Sequence, residues 1–147
     1  MGILILITDL LFELNSLKIH SISFNQPRTL SAEELDIANT VLNKNKIIKV
    51  YLEKINYIEE IFFMKFCPHM TFLKVNCINN IDIESCLRNI LENIKHESHD
   101  NLRSLCFRVP TADDKIIETL QKMINDNKLL INYTIKRLLD NIYLQWK

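Results

Sequence analysis

One spacing recurs five times in this chain: an apolar residue, a second three positions on, and a third two positions beyond that. The triplets are Leu14/Leu17/Ile19, Ile47/Val50/Leu52, Met70/Leu73/Val75, Leu102/Leu105/Phe107 and Leu130/Tyr133/Ile135. The last two members of each are separated by a single residue, which puts both on one face of a β-strand. First members fall at 14, 47, 70, 102 and 130, so the intervals are 33, 23, 32 and 28 residues. Those intervals leave room for a helix and its turns between successive strands. A strand–helix unit cannot bury its apolar face alone, so such units have to stack. Connection of strand to strand through a helix then predicts parallel pairing and a right-handed crossover.

The intervening segments carry helix signals. Ser31-Ala-Glu-Glu34 is a capping box, and Leu35, Ala38, Val41 and Leu42 follow as one apolar face. Ile58, Ile61, Phe62 and Met64 predict a shorter helix that stops where Pro68 restricts Cys67. Asp82 is placed to cap a helix with Ile83, Leu87, Ile90, Leu91 and Ile94 on its apolar side. Thr111-Ala-Asp-Asp114 opens another, with Ile116, Ile117, Leu120, Met123 and Ile124 at helical spacing. Residues 4–14 read as the helix of a first, incomplete unit.

The last 18 residues admit two readings. Ile131, Ile135, Leu138, Leu139 and Ile142 suit a helix. Tyr133/Ile135 and Ile142/Leu144/Trp146 alternate, and Asp140-Asn141 between them is a good turn. The alternation favours a hairpin, which would cover the last open edge of the sheet.

The totals exclude several classes of function. Lys plus Arg and Asp plus Glu are 18 each, so the basic excess of a nucleic-acid or anionic-membrane binder is missing. The single glycine, Gly2, leaves no material for phosphate-cradling loops or nucleophile elbows. The opening Met-Gly-Ile-Leu-Ile-Leu-Ile-Thr has no basic n-region and is interrupted by Asp9, which argues against a signal peptide or a membrane span. Four scattered cysteines suit reduced, buried thiols in the cytoplasm or nucleus. No Gly/Ser linker or charge block divides residues 1–147, so the chain reads as one domain.

Cys67-Pro-His69, Cys77, Cys86 and His96-x-x-His99 invite a zinc reading, but no C-x-x-C pair is present and Cys86 falls among the apolar positions of a helix. Glu59/Glu60 and Asp113/Asp114 are adjacent and so diverge on a helix. No catalytic residue, metal site or cofactor is assigned.

The residue between the last two members of a triplet, and the one just after the third, project from the opposite strand face. They are Lys18 and His20, Tyr51 and Glu53, Lys74 and Asn76, and Cys106 and Arg108, with Thr134 and Arg137 as the expected continuation. Because helices are wider than strands, this face is expected on the inside of an arc. Lys18, His20, Tyr51, Glu53, Lys74, Asn76 and Arg108 form the candidate partner-binding surface, mixed in charge with an aromatic near its centre, which suits a protein.

The triplet spacing is that of L-x-x-L-x-L, and it resembles the strand signature of leucine-rich repeats. Position 9 departs from that pattern. Asparagine is expected there, and Ile22, Ile55, Ile78, Pro110 and Leu138 stand instead, with Asn56 and Asn79 one residue late. These substitutes can pack inward if the turn hydrogen bonds are supplied elsewhere. The stretches Ile48-Lys-Val-Tyr-Leu-Glu-Lys-Ile-Asn56, Cys67-Pro-His-Met-Thr-Phe-Leu-Lys-Val75, Leu102-Arg-Ser-Leu-Cys-Phe107, Tyr133-Thr-Ile-Lys-Arg137 and Asn141-Ile-Tyr-Leu-Gln-Trp146 resemble the repeat tail of F-box-type proteins. The resemblance implies a short α/β leucine-rich-repeat solenoid: a parallel curved sheet, helices on the convex side and a C-terminal β-hairpin cap. It also implies a non-enzymatic module that holds the substrate of a ubiquitin ligase. About 13 residues precede the first triplet and match no F-box, so adaptor docking is not expected through this chain alone. The alternative is a truncated or vestigial repeat fragment with no independent partner.

Overall fold

The computed structural model describes residues 14–21, 40, 44, 46–54, 64, 66–76, 83–97, 101–110 and 112–147. Among the described residues six strands form a single sheet: β1 (Ser16–Ser21), β2 (Lys49–Lys54), β3 (Phe72–Asn76), β4 (Ser104–Arg108), β5 (Tyr133–Leu138) and β6 (Asn141–Trp146). Two helices are described, α1 (Ile83–Glu97) between β3 and β4 and α2 (Asp114–Asp126) between β4 and β5. The protein is thus α/β with a mostly parallel sheet.

The first four triplets become four neighbouring parallel strands. Their second members align across the sheet, Leu17 with Val50, Val50 with Leu73, and Leu73 with Leu105. Ile19, Leu52, Val75 and Phe107 lie one step further on the same face. A constant offset inside each triplet therefore becomes a constant register between strands, and every apolar pair lands on one side. All of these but Leu17, which packs partly buried against them, join Leu87, Ile90 and Leu91 of α1 and Leu120, Met123 and Ile124 of α2 in a single buried cluster. Both helices accordingly cover the same face. Among the described residues no helix covers the other.

The fifth triplet behaves differently. The strand order is β1-β2-β3-β4-β6-β5, so β6 lies antiparallel beside β4 and the strand of the fifth triplet is pushed to the edge. Ile142 and Leu144 explain the insertion: paired with Phe107 and Leu105, they continue the apolar rows and are fully buried. The hairpin is present, but its turn is Leu139–Asp140, one residue earlier than Asp140-Asn141. Asn141 is already paired, with Leu138, and Leu139 takes φ 53°.

Helix α2 starts later than Thr111-Ala-Asp-Asp114 suggests. Asp113 is the N-cap, in extended conformation, and its carboxylate accepts the Ile116 N–H at 3.0 Å. At the other end Leu129 N–H donates to Ile124 C=O and Lys128 N–H to Asn125 C=O, with Lys128 at φ 50°. Before β3, Phe66 is still helical, Cys67 is not, and Met70 N–H closes a turn onto Cys67 C=O at 3.0 Å, as Pro68 requires. Of the position-9 substitutes, Pro110 and Leu138 are exposed and do not pack inward.

The helix of residues 4–14 (Leu14 apart), the Ser31 capping box, the face of Leu35, Ala38, Val41 and Leu42, the residues Ile58, Ile61 and Phe62, and the Asp82 cap lie outside the described residues. So do Ile22, Ile55, Asn56, Glu59, Glu60, Cys77, Ile78, Asn79, His99 and Thr111. Among the described residues no helix is long and apolar enough to cross a membrane.

Candidate functional site: the open face of the sheet

Alternation along each strand sends every second side chain to the uncovered face, and the pairing lines them up in rows. One row runs Lys18, Tyr51, Lys74, Cys106, Tyr143 and Lys136 across all six strands. The next contains Asn76, Arg108, Asn141 and Leu138. On the other side of the first row, Phe72, Ser104, Gln145 and Thr134 align. All seven residues expected on one surface are therefore on this face. Six of them, Lys18, Tyr51, Glu53, Lys74, Asn76 and Arg108, line one shallow depression of about 640 Å³. The seventh, His20, stands at its margin, hydrogen-bonded to Glu53.

Electrostatics divide this depression. On the β1–β2 side Glu53 is held by Lys18 at 2.6 Å and by His20 at 2.5 Å. The Lys18 hydrogen bond, then that of His20, holds the Glu53 carboxyl below its ordinary value. On the β3–β4 side Lys74 and Arg108 make no ion pair among the described residues. Asn76, paired with Arg108 across the ladder, has its Oδ1 buried and accepting no hydrogen bond among the described residues. The rings of Tyr51 and Phe72 meet at 5.7 Å with their planes tilted by 53°, giving the face an aromatic centre.

Arg137 corrects the expected continuation. It shares the parity of Tyr133 and Ile135 and turns to the helix side, where Nη2 lies 3.1 Å from Asp114 Oδ1 and Nη1 donates to Ala112 C=O at 3.3 Å. Lys136, one residue earlier, takes the place on the open face. Thr134 is on that face and exposed. Cys106 is on it too but buried, with Lys74 and Tyr143 as its neighbours in the row and its Sγ 3.8 Å from Asn141 Oδ1. Burial pushes the Cys106 thiol up.

The hairpin supplies lining residues that the triplets do not reveal: Leu139, Asp140 and Asn141, together with Ser16 of β1. A signal for Asn141 existed. If Ile142, Leu144 and Trp146 alternate inward at Ile142 and Leu144, then Asn141, Tyr143 and Gln145 must alternate outward. Which strand the hairpin joins was not written in that pattern.

The described thiols, Cys67, Cys86 and Cys106, are free and buried, the first two in the core cluster. Among the described residues no group of three or more His, Cys, Asp or Glu side chains converges as a metal site. Comparisons with protein-family models, with curated proteins and with solved structures find no match to this chain.

Proposed function

We propose that the open face is the docking surface of a protein-interaction module. In this reading the chain is a short, irregular leucine-rich-repeat solenoid with that face on the inside of its arc. It acts by binding rather than catalysis, in the cytoplasm or nucleus, as the substrate-recognition part of an F-box-type ubiquitin-ligase receptor. The observation that carries the reading is the convergence of six residues from four strands on one depression of the open sheet face. Two features of that depression favour a polypeptide partner. Lys74 and Arg108, which line it and make no ion pair among the described residues, are available to a partner's carboxylates. Tyr51 with Phe72 offers the aromatic anchor around which binding energy concentrates.

Affinity capture with the intact chain, repeated with Tyr51→Ala and Arg108→Ala, tests this. A partner retained by the parent and weakened by both variants supports a receptor face, with a loss of roughly tenfold or more expected at a central anchor. Equal retention by parent and variants, or capture of chaperones alone, removes it.

A further inference from the structure

The sheet ends at β5, and among the described residues no strand pairs with its outer side. The β5–β6 hairpin is closed by Leu138 and Asn141 around a two-residue loop. A closing pair of this kind exchanges both of its hydrogen bonds, and hydrogen-bonded pairs then alternate along the ladder. Thr134, Lys136 and Leu138 therefore spend their backbone groups on β6. Asn132 follows the same phase, its C=O accepting Lys147 N–H at 3.3 Å. Tyr133, Ile135 and Arg137 direct their N–H and C=O groups outward, a ready template for another strand. Beside this edge stand the three most exposed large apolar residues among those described: Ile131 at 91%, Leu139 at 81% and Leu138 at 61%.

We propose that this edge pairs with the same edge of a second copy, β5 antiparallel to β5, about a twofold axis through Ile135. Twofold antiparallel pairing fixes which residues meet once the axis is chosen. With the axis at Ile135, Ile131 of one copy stands opposite Leu139 of the other, so the two most exposed apolar side chains cover each other. Tyr133 meets Arg137, and Lys136 meets Thr134. An axis one residue later sets the two Lys136 ammonium groups directly opposite, which is destabilising. An axis one residue earlier sets Ile131 against Arg137 and Leu139 against Leu129, which is already packed on the core and hydrogen-bonded to the end of α2. An axis between residues pairs an outward backbone with an inward one and loses the ladder.

Charged side chains at a sheet edge ordinarily discourage such pairing. Here Arg137 is drawn to the helix side by Asp114 and the Ala112 carbonyl. The two Lys136 stand only on the diagonal, roughly 7–8 Å apart, in solvent. The contact is one strand wide, so the dimer is weak and concentration-dependent. It joins the two sheets into one, with both open faces on the same side.

Sedimentation velocity over a wide concentration range tests the proposal, with two double variants at exposed positions. The parent is expected to pass from monomer to dimer as concentration rises. Ile131→Lys with Leu139→Lys sets introduced lysines against each other across the axis and should remain monomeric. Ile131→Lys with Leu139→Glu sets opposite charges together in the same register and should recover the dimer. Circular dichroism checks that both variants stay folded. A parent that is monomeric at submillimolar concentration, a dimer that survives the paired lysines, or failure of the charge-swapped pair to restore it overturns the proposal.

Discussion

Glu53 on β2 accepts the ammonium of Lys18 on β1 at 2.6 Å, one of the contacts that tie the first strand to the rest of the sheet. That bond, with the one from His20, lowers the Glu53 carboxyl below its ordinary 4.5. A depressed carboxyl contributes stability that is fully present above the unfolded value and is lost as pH falls through the folded one. The parent should therefore melt above Glu53→Gln near neutral pH, and the gap should close as pH is lowered below about 4.5. The pair is exposed, so the gap should also narrow in high salt. Thermal melts of both proteins across that pH range measure it, and a gap that persists undiminished in acid contradicts the assignment.

Lys128 occupies the residue just beyond the C-cap of α2 at φ 50°, the position where glycine is favoured. A side chain in the left-handed region costs about 1–2 kcal/mol, part of which glycine returns through its freer unfolded chain. Lys128→Gly should stabilise the fold by about 0.5–1 kcal/mol. Urea denaturation should show a higher midpoint with an unchanged slope.

The apolar register of the sheet was legible because one periodic rule governed it. Leu17, Val50, Leu73 and Leu105 occupy the same place in each triplet, and parallel pairing converted that place into a row. The site residues followed from the same rule by alternation, which is why Lys18 and Arg108, far apart in sequence, share one depression. Arg137 failed by one step, and its true neighbour on the face, Lys136, obeys the alternation that Tyr133 and Ile135 define. The position of β6 was hidden for a different reason. Ile142 and Leu144 state that the strand has a buried side, but only the free edge of β4, a tertiary fact, states where that side is satisfied. The helix start was hidden by competing cap candidates, of which Asp113 accepts the Ile116 N–H.

Leu144 is fully buried on β6 opposite Leu105 of β4. If the hairpin is part of the core rather than an appended cover, truncating this side chain should disturb the whole sheet. Leu144→Ala should cost about 2–5 kcal/mol, as at other buried leucines. Gln145→Ala, one residue away on the exposed face, should change stability by less than about 0.5 kcal/mol. Equal, small effects at both positions, read from denaturant titrations, would place the hairpin outside the cooperative unit.

Cys67 follows the helical turn before β3 and is buried against the core, and burial pushes its thiol from 9.0 up to about 12. The thiolate is the reactive form, so Cys67 should resist alkylation in the folded protein at mildly alkaline pH and react readily in urea. Peptide mapping after iodoacetamide treatment distinguishes the two states. The same shift has a stability consequence of fixed sign. Between about 9 and 12 the unfolded chain has released the proton and the folded chain has kept it, so stability falls as pH rises through that window. Cys67→Ala removes the titrating group and should flatten part of that alkaline decline, leaving the contribution of other raised thiols such as Cys106. An unaltered decline in the variant would show that Cys67 is not among the groups whose ionisation opposes folding.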